Sequence, residues 1–280
     1  MKHRLVHWLL ASALAAAGTV AAAPPAAREL AYGPDPRQRV DLYAPAGAAR
    51  APIVVLVHGG AWAFGDKRSP GIVGAKLAHW REAGWLVASV NYRLLPQADP
   101  LIQAGDVARA VAAVQRAARE AGGDPDRVVL VGHSAGAHLV ALLGAAPARL
   151  AAAGARRPLG VVALDSAAMD VVEMMELPRR PALYDRAFGR DRAFWTAASP
   201  YHQWTAEALP LLAVCSTRRP DACPQARALA ARAAALGTHV TVRPEPLTHA
   251  AISRELGSRS AYTDAVDAFL RARFEAYRRD

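Results

Sequence analysis

Two cysteines are all the sequence contains, Cys215 and Cys223, and both bracket one short stretch, CSTRRPDAC. So small a number excludes a disulfide-built scaffold and a cysteine-rich metal cluster. The chain also lacks a compact set of histidines at ligand spacing, so nothing in it calls for a metal. Beyond Leu30 there is no internal repeat, no Gly/Ser linker and no apolar run long enough to span a membrane, which argues for one large domain. The net charge of +10 comes without an array of basic residues interleaved with aromatics. The 34 Lys and Arg residues stand singly and in pairs along amphipathic stretches, so a nucleic-acid partner is not expected. That charge suggests at most a surface that enriches anionic polymers.

What is present begins with a leader. Lys2 and Arg4 precede an apolar run from Leu5 to Ala17, and small residues at Ala21, Ala22 and Ala23 precede Pro24. This order predicts a secretory signal peptide over residues 1–23, with 24–280 as the mature domain. An uncleaved anchor is the alternative. The expected location is secreted or periplasmic, an oxidising setting in which Cys215 and Cys223 can pair; two buried thiols are the other option.

Six short runs are rich in Val, Leu and Ile, at 51–60, 84–92, 126–134, 158–166, 209–216 and 238–246, and most of them lack strict polar alternation. Such runs suit strands buried on both faces of a parallel sheet. Alanine-rich helical stretches at 70–82, 106–121, 135–146, 224–236 and 260–278 lie between them. The expected fold class is therefore α/β, a mostly parallel sheet with helices on both faces. RVDLYAP, 39–45, is expected as a peripheral antiparallel strand. Residues 169–205, rich in Met, aromatics and Pro, interrupt the rhythm. They are too long for an ordinary connection, and we expect a partial cap over a pocket, the alternative being packing on the sheet edge.

The segment DRVVLVGHSAGAH carries G-H-S-A-G from Gly132 to Gly136. A strand that runs into a glycine turn and then a helix would expose Ser134 Oγ above the sheet edge, as a nucleophile requires. The Ala135 N–H at the helix start can face a developing oxyanion. HGGAW, 58–62, follows another strand, and Gly59 and Gly60 are the candidates for a second donor. A serine hydroxyl needs a base, and His249 follows the last strand. His133 and His138 read as packing positions and His58 as a brace for the glycine loop, while His202 and His239 lack a comparable position. For the carboxylate that orients His249 we expect Asp221, which follows the penultimate strand. Asp165 and Asp170, one strand earlier, are its rivals.

These separated motifs resemble the α/β-hydrolase superfamily, in particular carboxylesterases related to hormone-sensitive lipase, arylformamidases and bacterial feruloyl or acetyl-xylan esterase-like proteins. The resemblance runs from YGPDPRQRVDLYAP through HGGAWAFGDK, NYRL, the Ser134 segment and FGRDRAFWTAASP to Thr248 and His249. It implies a catalytic triad of Ser134, Asp221 and His249, oxyanion donors at Gly59, Gly60 and Ala135, and no cofactor. Asp66 is implied as a residue that fastens the oxyanion loop through backbone amides. Ala61 replaces the third glycine common in lipase-related loops, which moves the likeness toward an HGGxW branch. Trp62 and Tyr92 are then candidates for pocket wall or loop support, as are Met169, Met174, Met175, Phe188, Phe194 and Trp195 for the pocket. The implied reaction is hydrolysis of a small ester or acylated saccharide; an aryl formamide is the alternative substrate, and a non-catalytic binding protein of the same fold a more distant one. On this reading a Cys215–Cys223 bond would staple the loop that carries the triad's acid.

Overall fold

The computed structural model describes residues 27–277, so the expected signal peptide lies outside the described residues. An eight-stranded sheet has the order β1-β2-β4-β3-β5-β6-β7-β8. The strands are β1 (Arg28–Ala31), β2 (Arg39–Tyr43), β3 (Ala51–Val57), β4 (Leu86–Val90), β5 (Gly123–His133), β6 (Gly160–Leu164), β7 (Leu211–Ser216) and β8 (Val240–Glu245). β2 pairs antiparallel with both β1 and β4, and β3 to β8 run parallel. The long helices are α1 (Pro70–Glu82), α2 (Pro100–Ala117), α3 (Ala135–Ala145), α9 (Ala222–Ala235) and α11 (Ala261–Ala276). Shorter ones are α4 (Ala148–Ala152), α5 (Val171–Glu176), α6 (Ala182–Phe188), α7 (Arg192–Ala198), α8 (Pro200–Gln203) and α10 (His249–Glu255).

The unbroken apolar runs follow from burial on two sides. Ile53, Val55 and Val57 of β3 face one core with α2, α3 and α9, through residues such as Val111, Leu139 and Leu229. Val54 and Leu56 face the other, with Trp80 of α1, Ile252 of α10 and Leu270 of α11. Because alternate residues of a strand point to opposite faces, both sets must be apolar. The expected helix at 106–121 starts earlier, at Pro100. Asp99 caps it, its side chain accepting from the Ile102 N–H, and Pro100 takes the first turn, where a missing N–H costs nothing.

Residues 169–205 form α5 to α8, and Met174, Tyr184 and Phe188 join the α2/α3 core. Asp170 caps α5 by accepting from the Val172 and Glu173 N–H groups. That employment removes it as a partner for His249.

Candidate active site

The parallel strands deliver their following loops to one edge of the sheet, where α/β folds gather reactive groups. Ser134 sits between β5 and α3 at φ 57°, ψ −117°, a conformation L residues rarely adopt. Its flanking glycines are required by space. A Cβ at Gly132 would lie 2.3 Å from the Gly136 carbonyl oxygen, and one at Gly136 2.3 Å from that of Val57. The strained turn is thus braced between β3 and α3.

Ser134 Oγ donates to His249 Nε2 at 2.9 Å, and His249 Nδ1 donates to a carboxylate at 2.6 Å. That carboxylate is Asp165, so the sequence-based choice of Asp221 is corrected. Asp165 follows β6 directly, at φ 55°, and its side chain is 0% exposed. Asp165 Oδ1 accepts the Ser216 N–H at 2.7 Å. Arg219 Nη1 donates to Asp165 Oδ2 at 3.0 Å, sharing that oxygen with His249. Burial pushes the Asp165 carboxyl up, but the hydrogen bonds from His249 and Ser216 and the charge of Arg219 outweigh it and hold the group below the usual carboxylate range. Asp221 lies five residues beyond the end of β7, with its side chain 42% exposed. It accepts from Arg219 Nη2 at 3.0 Å and reaches the triad only through that arginine.

Cys215 and Cys223 form a disulfide with Cα atoms 5.1 Å apart. The bond joins the end of β7 to the start of α9 and encloses Ser216, Arg219 and Asp221. What it staples is therefore not the triad's acid but two groups that grip the acid.

A cavity of about 480 Å³ opens over Ser134 and His249. Gly60, Ala61 and Ala135 line it beside the serine. Gly59 packs behind them, where a Cβ would come within 2.8 Å of Ser134 Cβ. Trp62, buried, forms part of the wall and donates from Nε1 to His138 Nδ1 at 3.2 Å, while its ring meets Phe188 edge-on at 4.9 Å. It is both wall and packing. Tyr92 lies under the loop, its ring stacked on His58 at 4.4 Å and its hydroxyl donating to the His58 carbonyl at 2.8 Å. Asp66 holds the exit of the loop rather than the glycine amides: Oδ2 accepts from Asn91 Nδ2 at 2.8 Å and Oδ1 from the Arg68 N–H at 2.8 Å. Of residues 169–205, Pro181, Leu183 and Tyr184 line the cavity. Phe64, Pro181, Leu183, Tyr184 and Arg219 are wall residues that no motif in the sequence marks.

The neighbouring histidines have structural partners. His133 Nε2 donates to the His249 carbonyl at 2.9 Å, and its ring lies 4.6 Å from that of His249. His138 Nε2 donates to the Ala198 carbonyl at 2.7 Å, which leaves Nδ1 as the acceptor for Trp62. Burial lowers His58, His133 and His138 each to about 4. No group of three or more His, Cys, Asp or Glu residues able to hold a metal occurs among the described residues.

Sheet order, strained serine turn and hydrogen-bonded triad together define a serine-hydrolase arrangement on the α/β-hydrolase fold. The BD-FAE family profile matches residues 40–155, the part that carries the glycine loop and the serine turn. Over 115 residues the chain is 39% identical to isoprenylcysteine alpha-carbonyl methylesterase of Arabidopsis thaliana, covering 41% of this chain and 26% of that protein. Esterase LipQ of Mycobacterium tuberculosis is 37% identical over 121 residues, 41% of this chain and 28% of its own length. The matches thus span only about a quarter of these curated relatives' length. Among solved structures, esterase 2 of Thermogutta terrifontis superposes with a TM-score of 0.74 at 18% identity, covering 90% of this chain and 97% of that one. A truncated carbohydrate esterase from gut microbiota gives 0.73 at 18% identity, covering 88% and 95%. At such identities the likeness is one of fold. The protein is an α/β-hydrolase-fold chain related, through the segment bearing its nucleophile, to esterases.

Proposed function

We propose that this protein is an exported carboxylic-ester hydrolase acting on small esters or acylated saccharides through an acyl-serine intermediate. The observation that carries the reading is the unbroken relay from Ser134 Oγ through His249 Nε2 and Nδ1 to Asp165 Oδ2, at 2.9 and 2.6 Å. As Ser134 attacks the ester carbonyl, its proton passes to His249 Nε2. Asp165 stays charged, fixes the ring's tautomer and stabilises the imidazolium. The carbonyl oxygen becomes negative beside Gly60, Ala61 and Ala135, which line the cavity at the serine, and their backbone N–H groups are the donors we propose for it. His249 then hands the proton to the departing alcohol, and water enters by the reverse sequence to release the acid. In this reading α5 to α8 act as a partial cap, with Pro181, Leu183 and Tyr184 closing one side of the cavity over Ser134. The names of the related esterases support the reaction class; the leader supports export.

A panel of chromogenic acyl esters, aryl formamides and acetylated or feruloylated sugars tests the proposal. The expected result is turnover of esters by the wild type and a loss on the order of 10⁵-fold or more in Ser134→Ala, as loss of a triad nucleophile produces. Formamide turnover above ester turnover would reassign the substrate, and ester hydrolysis retained by Ser134→Ala would overturn the mechanism.

A further inference from the structure

A second cavity, of about 420 Å³, adjoins the one over Ser134 and shares Ala167, Pro181, Tyr184 and Asp221 with it. Its remaining walls come from α5 and the connection after it, with Met174 and Leu177, and from the start of α9 with Pro224 and Ala228. Proline faces are rigid and offer no backbone N–H, so Pro181, Pro220 and Pro224 make a lining poor in donors. Apart from the exposed Arg179, the polar side chains on this wall are already engaged. Gln225 Nε2 donates to Glu173 Oε2 at 2.7 Å while Gln225 Oε1 accepts the Asp170 N–H at 2.6 Å, and Arg180 is held by Asp185 at 3.0 Å. What remains for a ligand is mainly apolar surface.

The distribution of exposed apolar side chains points the same way. Among the described residues, large hydrophobic side chains stand in solvent at five positions, and three of these are at the two cavities. Phe64 and Leu183 border the one over Ser134, and Leu177, 47% exposed, borders the other. Apolar surface gathered at the mouth of a reactive site gains free energy only when something apolar covers it.

We infer that the second cavity is the subsite for an elongated apolar group of the ester substrate, an alkyl chain or aryl system that leaves the scissile carbonyl at Ser134, passes Tyr184 and ends against Met174 and Leu177. The inference rests on the ester-hydrolase reading and narrows its substrate class from short acyl esters to extended ones. The apolar group can belong to the acid or the alcohol side of the ester, and the experiment separates the two.

Two substrate series are required: p-nitrophenyl esters from acetate to decanoate, and acetates of alcohols from ethanol to decanol. In one series the wild-type kcat/KM rises by up to about fourfold per added methylene until the cavity is filled, the factor expected for burying one CH₂. The series that rises names the side of the ester that enters. Leu177→Asp puts a charge on the wall, and Ala228→Phe fills the space from α9. Each lowers the ratio of kcat/KM for the longest to the shortest member by about tenfold or more, the effect of losing two buried methylenes. Leu177 is exposed, so its substitution does not endanger folding. A flat wild-type dependence in both series, or a ratio within about twofold of wild type in both variants, overturns the subsite. Failure of the underlying reading looks different, because the wild type would then hydrolyse no member of either series.

Discussion

At the scale of single residues, the site depends on which groups are forbidden to ionise as much as on which are charged. His138 cannot take a second proton without turning an N–H toward the Trp62 N–H it accepts from. His58 is buried with it and His133 half-buried, and desolvation lowers all three to about 4. The sign of the consequence is fixed by linkage. Between about pH 6.5, where an unfolded histidine titrates, and about pH 4, the unfolded chain binds more protons than the native one. Stability contributed by these imidazoles is therefore complete above pH 6.5 and is lost as pH falls through 4. Each accounts for on the order of 3 kcal/mol at the bottom of that window. Thermal unfolding followed across this range should show a steep fall in Tm toward pH 4. A Tm that holds level from pH 6.5 to 4 would contradict the burial and tautomers described for these rings.

At the scale of elements, the loop between β7 and α9 is the least ordinary part of the molecule. It carries Ser216, whose N–H meets Asp165 Oδ1 and whose Oγ donates to the Leu247 carbonyl at 2.6 Å, two residues before the helix that holds His249. It also carries Arg219, which joins Asp165 to Asp221. The Cys215–Cys223 bond closes this loop on itself. For a loop of this length, chain-entropy reasoning gives about 2.5 kcal/mol of stabilisation. Replacing both cysteines with alanine should lower Tm by roughly 5–10 °C in a protein of this size. It should also lower kcat by about tenfold or more, since small displacements in a catalytic constellation are costly. Calorimetry and steady-state kinetics on the same preparation check both. A variant with lowered Tm but wild-type kcat would mean that the staple serves the fold alone.

At the scale of the whole molecule, most of the architecture was legible because a doubly covered parallel sheet leaves a plain mark. Its inner strands must be apolar on both faces, and five of the six runs had that character; the sixth, β8 at the sheet edge, did not. β1 was not legible: RELA is a short, mostly exposed edge strand, held by pairing with β2, by ion pairs of Arg28 with Glu120 and of Glu29 with Lys67 and Arg68, and by Leu30 against the core. Ser134 and His249 were legible from chain order, since each follows a separate strand. Asp165 was not chosen because order alone allows an acid after either β6 or β7. The distinguishing signal was local. Asp165 ends the apolar run GVVAL directly, as a side chain held at the sheet edge must, whereas Asp221 is separated from β7 by the polar stretch TRRP. Sequence could not reveal that Arg219 would occupy the space between Asp221 and the histidine, because that placement depends on contacts across three loops. The charge of +10 has no counterpart in this site, where Arg219 is neutralised by two carboxylates.

The central claim is that Asp165 orients His249 while Asp221 acts only through Arg219. Measuring kcat/KM for Asp165→Asn and Asp221→Asn beside the wild type, on one ester, tests it most directly. Asparagine keeps the shape and removes the charge, and at a triad acid this change costs on the order of 10⁴-fold. A loss of that order is expected for Asp165→Asn, and about tenfold or less for Asp221→Asn, which removes one of the two carboxylates that hold Arg219. The reverse pattern, with Asp165→Asn near wild type and Asp221→Asn inactive, would contradict it.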